Sequence, residues 1–148
     1  MIRAGTESDF ARCVELGFNF HQFAYGKKGI GYCTDSCMNT MIMAHGMGLF
    51  VVAEVDGIVQ GFCVGAKAPM MMNQSVTVGC ELVWWVEPEH RKSTLGIGLL
   101  KAIEQQAKDS GVDVWSMVLL DDVEPEKVDK IYRAMGYVPS ERTYIKVF

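Results

Sequence analysis

Residues 84–103 read WWVEPEHRKSTLGIGLLKAI (Trp84–Ile103). An aromatic run breaks at Pro88, passes through a basic, hydroxyl-rich loop, reaches Gly96-Ile97-Gly98 and becomes a helical pattern. From Gly98 the helix points Leu99, Leu100, Ile103 and Ala107 inward and Lys101, Glu104, Gln105 and Lys108 outward, and Gly111 closes it. Upstream, Val76 to Val86 is a strand with Glu81, Val83 and Trp85 on one face and Leu82, Trp84 and Val86 on the other. Both faces are largely apolar, which marks a central strand. A helix N-terminus leaves backbone amides unpaired and carries partial positive charge. Amides from Leu95 to Leu99 can therefore converge on a phosphate or pyrophosphate. Gly96 and Gly98 would let such a ligand approach the backbone, and Arg91, Lys92, Ser93 and Thr94 add charge and donors. No Gly-Lys-Ser/Thr ending is present, so this is not a P-loop. The same two glycines would also suit a loop that merely turns the chain.

Outward from this stretch the elements fall into a simple order. Ile2-Arg3-Ala4 forms a short strand, and Thr6-Glu7-Ser8-Asp9 offers a capping pattern for a helix carrying Phe10, Cys13, Val14, Gly17 and Phe18. Gly26 to Cys33 reads as a loop. Asp35 caps a second helix whose Met38, Met41, Ile42 and His45 share a face. Leu49–Glu54 and Ile58–Val64 are strands joined by Asp56-Gly57, a strong hairpin signal. Ala66 to Ser75, with Pro69 and three methionines, reads as a loop. After the central strand and its helix come a strand over Val112–Leu120, a helix opened by Pro125, and a last strand over Thr143–Phe148. The Pro125 helix carries Val128, Ile131, Tyr132 and Met135 on one stripe and ends at Gly136. The fold class is therefore α/β (α+β), a mixed sheet with helices on both faces, in one domain spanning 1–148.

Composition narrows the partners. Of 148 residues, 49% are apolar and 22% charged, ordinary globular values that argue against disorder. A net charge of −4 argues against a general nucleic-acid binder, which needs a basic face, and leaves Arg91-Lys92 beside His90 as the best local basic patch. No apolar run approaches the roughly 20 residues that span a bilayer, and no charged-then-apolar leader follows Met1, so no membrane partner and a cytoplasmic location are expected. The five cysteines (Cys13, Cys33, Cys37, Cys63 and Cys80) lack zinc-site spacing, and His21, His45 and His90 are scattered, so no metal is expected.

Val86-Glu87-Pro88 followed by Arg91 and Gly96-Ile97-Gly98-Leu99-Leu100 resembles the acetyl-CoA signature of the GNAT superfamily of N-acetyltransferases. Ile131-Tyr132-Arg133-Ala134-Met135-Gly136-Tyr137 is similar to the later motif of that family, and the early strand, two-helix segment and Asp-Gly hairpin occur in the family order. The resemblance covers nearly the whole chain. It departs at Ser93, where the family has Arg or Gln three residues before the first glycine, so which side chain meets phosphate is left open. Details around Trp84-Trp85 and Tyr144-x-Lys146 look similar to bacteriophage-encoded members, which would place the protein in a host cytoplasm.

The resemblance implies a mostly antiparallel GNAT-like sheet and direct transfer of an acetyl group from acetyl-CoA to a primary amine, on a small molecule or a protein. It also implies roles. Main-chain groups near Trp85 and Val86 would pair with the pantetheine arm, the loop and helix start at 91–99 would hold the pyrophosphate, and Tyr132 would protonate the departing thiolate. Glu81, a carboxylate inside an apolar strand, asks for a reason because burying charge is costly. A general base acting on the substrate ammonium is one reading, and a structural salt bridge is the other. Tyr132 could equally be a core aromatic with a satisfied hydroxyl. Met70-Met71-Met72 and Tyr25 to Tyr32 either line an acceptor pocket or form surface loops. The alternative function is a catalytically inactive GNAT-fold module that binds CoA or a partner protein, and a homodimer is a further partner expectation.

Overall fold

Asp56 and Gly57 sit at φ of 50° and 79° and turn the chain between β2 (Phe50–Val55) and β3 (Ile58–Met70) in a hairpin. The computed structural model describes residues 1–148, and in it β1 (Ile2–Ala4), β2, β3, β4 (Asn73–Val86) and β5 (Val114–Ser116) follow one another across a single sheet in sequence order. All pairings are antiparallel except β4 with β5, which is parallel. The mixed, mostly antiparallel sheet expected from the sequence is thus present.

Helices cover both faces. α1 (Phe10–Tyr25) and α2 (Thr34–Gly46) bury Cys13, Leu16, Met41 and Ala44 against Phe50, Val52, Phe62, Val64 and Trp85. On the opposite face α3 (Leu95–Asp109) buries Leu99, Ile103 and Ala107 against Leu49, Val51, Ala53, Cys63 and Val86. Each fully buried Leu, Ile or Phe contributes about 1.5–3 kcal/mol, so these two layers dominate stability. α4 (Pro125–Ala134) buries only Tyr132. Arg3 ties the corner of the sheet to α1 by a bidentate pair with Asp9 and a second contact to Glu54. The Arg3 guanidinium, helped by the Thr6 amide and hydroxyl, holds the Asp9 carboxyl down at about 2 despite burial.

Several boundaries move. Residues 66–75 are strand rather than loop: β3 and β4 continue as one long hairpin turned at Met71-Met72, because each strand satisfies the backbone groups of the other to its end. α3 starts at Leu95, three residues before the expected Gly98. β5 shrinks to three residues, and 143–148 is not a strand. Residues 138–148 have no regular structure, and Tyr144, Ile145, Val147 and Phe148 are exposed. Phe18 and Ile42, expected on inner helix faces, are half exposed, because Leu16 with Gly17 and Met41 with Ala44 make the inner contacts.

The most consequential difference lies inside β4. Val83 pairs with Val64 but Glu81 pairs with Gly65, so Leu82 is an extra residue opposite that step, a β-bulge. The bulge reverses the alternation below it. Val83 and Trp85 pack toward α1 and α2, as expected, but Glu81 lies with Gly65 on the α3 face. A Cβ added at Gly65 would collide there with the Trp115 ring and come within 2.8 Å of the Cys80 carbonyl oxygen. Gly65→Ala is therefore expected to lower stability by about 2–3 kcal/mol, read as a reduced denaturation midpoint with unchanged m-value. An unchanged midpoint would show that Trp115 is free to move.

Candidate active site

Two strands part at this site. β4 and β5 pair from Val78↔Val114 to Cys80↔Ser116 and no further, while β4 runs on to Val86. Beyond Cys80 the β5-facing edge of β4 has no strand beside it. The chain leaving β5 is held instead by side chains. Glu81 Oε2 accepts from the Val118 amide at 3.1 Å, and the Tyr132 hydroxyl donates to the Val118 carbonyl oxygen at 2.8 Å. One peptide residue is thus held from the strand by Glu81 and from the helix by Tyr132.

Burial sets the electrostatics of this pair. Glu81 is 6% exposed and no cation pairs with it. Desolvation pushes its carboxyl up to about 7, against the opposing pull of the Val118 N–H. Desolvation also raises the Tyr132 phenol well above its usual range, and the nearby Glu81 charge adds to it. Near neutrality the site therefore holds a carboxyl poised to gain or lose a proton and a phenol that keeps its own.

The α3 N-terminus follows from the end of β4. Pro88 to His90 form a single 3-10 turn, His90 and Ser93 close the loop, and Thr94 is the N-cap residue without a side-chain cap bond. The Leu95 amide donates to Ser93 Oγ at 3.2 Å, and the Gly98 amide donates to the Thr94 carbonyl at 2.9 Å. Gly96 and Ile97 have no acceptor within the chain, so their two N–H groups are the free donors at the positive end of the helix. Lys92 and Thr94 are exposed beside them. These amides and the unpaired β4 edge fit the diphosphate and arm of a CoA thioester in chemistry: anion donors at one end, strand-like hydrogen-bonding groups at the other.

The expected cofactor residues do not all converge. The Leu99 side chain is fully buried in the core, and Gly98 has spent its amide in the helix. A Cβ at Gly98 would lie 2.9 Å from Ile2 Cγ1, and one at Gly96 would lie 3.3 Å from the Trp84 ring. The two glycines thus let α3 approach β1 and β4, and ligand approach is not what their missing side chains make room for. Arg91 also turns elsewhere. Its Nε donates to the Val86 carbonyl at 2.9 Å, and its guanidinium lies 4.3 Å from the Trp85 ring centre and 5.1 Å from that of Phe23. Trp85 belongs to the α1 layer, so Arg91 is drawn to that side by cation–π contacts. Trp85 and Val86 are buried, and it is the main chain of this segment that borders the gap.

Trp84, by contrast, packs its ring against the first turn of α3 and stands 6.1 Å, centre to centre, from Tyr132. Its membership of this site was not legible in the sequence, nor was that of Val118, which no pattern marks. Only strand alternation placed Trp84 opposite Trp85. No group of three His, Cys, Asp or Glu side chains is arranged to hold a metal ion. No helix is long and apolar enough to cross a membrane.

Comparison with known proteins bears on this geometry. The family model described as Acetyltransferase (GNAT) domain matches residues 46–139, well over half of the chain. Among solved structures, a transcriptional regulator from Bacillus halodurans C-125 superposes with a TM-score of 0.74 at 17% identity, over 100% of this chain and 99% of that one. A ribosomal-protein-alanine N-acetyltransferase from Brucella melitensis biovar Abortus 2308 does so with a TM-score of 0.72 at 16% identity, over 100% and 99%. A predicted acetyltransferase with acetyl-CoA from Clostridium acetobutylicum gives 0.72 at 15%, over 100% and 95%. At such identities these likenesses show the shared fold. No curated protein matches the sequence.

Proposed function

The chain belongs to the GNAT acetyltransferase family, and from that premise we propose that it is an N-acetyltransferase moving an acetyl group from acetyl-CoA to a primary amine. The observation that carries the reading is the Val118 residue held by Glu81 and Tyr132 where β4 and β5 part, beside the free amides of Gly96 and Ile97.

When bound, acetyl-CoA supplies an activated acetyl group as a thioester. The chain's own residues do the rest. The Gly96 and Ile97 amides, with Lys92 nearby, hold the diphosphate, and the β4 main chain near Trp85 and Val86, on the side without a strand neighbour, aligns the arm in the gap, the Val86 carbonyl being already taken by Arg91. Glu81 takes a proton from the substrate ammonium, directly or through water, because an amine attacks only when neutral. A base near 7 is well matched to neutral pH, ionised in a useful fraction yet basic enough to accept. Tyr132 is the complementary acid. Its raised pKa keeps it protonated, and its bond to the Val118 carbonyl orients the hydroxyl until rotation about the C–O bond presents the proton to the departing thiolate. The acceptor is an amine on a small molecule or a protein; the net charge of −4 favours a cationic one.

Thermal melting with and without acetyl-CoA tests the binding half. At a hundred times its dissociation constant the ligand is expected to stabilise the protein by ~2.7 kcal/mol. No shift at millimolar acetyl-CoA overturns the reading. Thiol release across a panel of primary amines tests the transfer half. Binding without release for any amine would favour the inactive CoA-binding module, a reading to which the turned-away Arg91 gives some support.

A further inference from the structure

Three tryptophans are present, and two of them, Trp84 and Trp85, have a buried indole N–H with no hydrogen-bond partner. Trp115 differs, since its Nε1 donates to Met117 Sδ at 3.1 Å. A buried donor left unpaired costs about 1–3 kcal/mol, so each orphan asks for an explanation. Trp85 lies in the α1 layer, edge-on to Phe20 and Phe23 and beneath Arg91, away from the gap. Trp84 is placed otherwise. Its ring meets the would-be Cβ of Gly96, 3.3 Å from Cζ2 and 4.0 Å from Nε1, at the turn whose amides are free. Its other neighbour is Tyr132, tilted at 36° to it. Trp84 therefore joins the two ends of the site: the anion-binding helix turn and the hydroxyl beside Glu81.

We propose that the Trp84 indole N–H is a binding donor for the acyl carrier, directed at an amide oxygen of the arm that connects the diphosphate to the thioester. The inference rests on the acetyl-CoA reading above. The arm is the part that must pass between the helix turn and Tyr132, and its carbonyl oxygens are acceptors at that level. The unpaired donor is then a strain of the free protein that the ligand relieves, so part of the binding free energy comes from satisfying it. The ring keeps its packing on Gly96 and Tyr132, but Nε1 is closed to solvent in the free protein, so the arm reaches it only as the side chains over the gap shift.

Trp84→Phe keeps most of the ring and removes the donor. In isothermal titration the variant is expected to bind acetyl-CoA roughly three- to tenfold more weakly, the range for one neutral hydrogen bond. Its affinity for 3′-phospho-ADP, which has the diphosphate but no arm, is expected to stay unchanged. Melting of the free variant is expected not to fall, since the orphan donor is gone. Unaltered acetyl-CoA affinity overturns the proposal, and an equal loss with 3′-phospho-ADP moves the contact to the diphosphate and overturns it too. Absence of acetyl-CoA binding by the unmodified protein would instead sink the cofactor reading itself. Should the variant fold poorly, nitrogen-15 indole labelling of the unmodified protein decides. The Trp84 cross-peak is expected to move downfield on adding acetyl-CoA while that of Trp85 stays in place. A shift confined to Trp85, or none, overturns the proposal.

Discussion

Glu81→Gln is expected to make the protein more stable at pH 8 and to lower amine acetylation by about 10²–10⁴-fold, the usual contribution of a general base. The two effects have one cause. Burial raises the Glu81 carboxyl from 4.5 to about 7, so ionising it in the folded state costs more than in the unfolded chain. A raised pKa means that the folded state holds the proton more tightly. This group's stabilising effect is thus complete below about pH 4.5 and is lost as pH rises through 7. The loss amounts to about 3 kcal/mol, from a shift of roughly 2.5 units at 1.36 kcal/mol each. The neutral amide of Gln still offers an oxygen to the Val118 N–H but carries no charge. The melting difference between variant and native protein should therefore be small at pH 5 and open by several degrees at pH 8. Native activity should rise with pH on an apparent pKa near 7, and the variant's residual activity should lose that inflection. A pH-independent melting difference, or full turnover in the variant, would remove Glu81 as the base.

Tyr132→Phe is expected to separate binding from chemistry. In the proposed reaction the hydroxyl protonates the leaving thiolate, and an acid of this kind contributes about 10²–10⁴-fold to turnover. The ring also packs against Trp84 and Tyr137, and phenylalanine keeps those contacts. What remains is the Val118 carbonyl, left without its donor, at a cost of about 1–3 kcal/mol. The melting temperature of the free variant should fall accordingly, while the further rise produced by acetyl-CoA should persist. The decisive measurement is kcat against leaving-group acidity. With thioesters of more acidic thiols the deficit of the variant should shrink, because a good leaving group needs no proton. An equal deficit for all thioesters would reduce Tyr132 to a structural prop for Val118.

The Cys33–Cys37 spacing, by contrast, builds no metal centre: Cys33 is exposed at the start of α2, while Cys37 packs over Gly17, where an added Cβ would meet its sulfur at 2.8 Å. Tyr25 and Tyr32 likewise pack on α1: Tyr25 meets Phe20 and His21, and Tyr32 donates to the Val14 carbonyl while meeting Phe18 edge-on and His21 at a tilt.

Much of the architecture was legible because it follows from short-range rules. Asp56-Gly57 dictated a hairpin, since few other residue pairs accept two consecutive positive φ angles. Leu99, Leu100, Ile103 and Ala107 dictated the inner face of α3, because helical geometry alone brings those spacings to one side. The hydrophobic stripe on α4 and the turn at Gly136, φ 90°, were readable for the same reason. The Thr143–Phe148 pattern was the misleading one. A run rich in β-branched and aromatic residues prefers an extended chain, but a strand exists only where an edge receives it, and in this structure none does.

The sequence by itself determined the order of elements from β1 to α4, the inner face of α3 and the two chemical groups, Glu81 and Tyr132. The central strand, however, is β3, and β4, read as central, has a neighbour on its β5 side only as far as Cys80. Only the tertiary structure decided how Glu81 and Tyr132 meet. Alternation along β4 would have put Glu81 under α1 with Trp85, on the face away from Tyr132. One unpaired residue, Leu82, turns it to the α3 side. A bulge is a relation between two strands, set by how Val64 and Gly65 of β3 pair across the gap, and no residue of β4 encodes it alone. The opening stretch is sharpened in the same way. Its glycines let a helix pack closely, its arginine stacks on Trp85, and what remains for a ligand is two free amides and, beneath them, the indole N–H of Trp84.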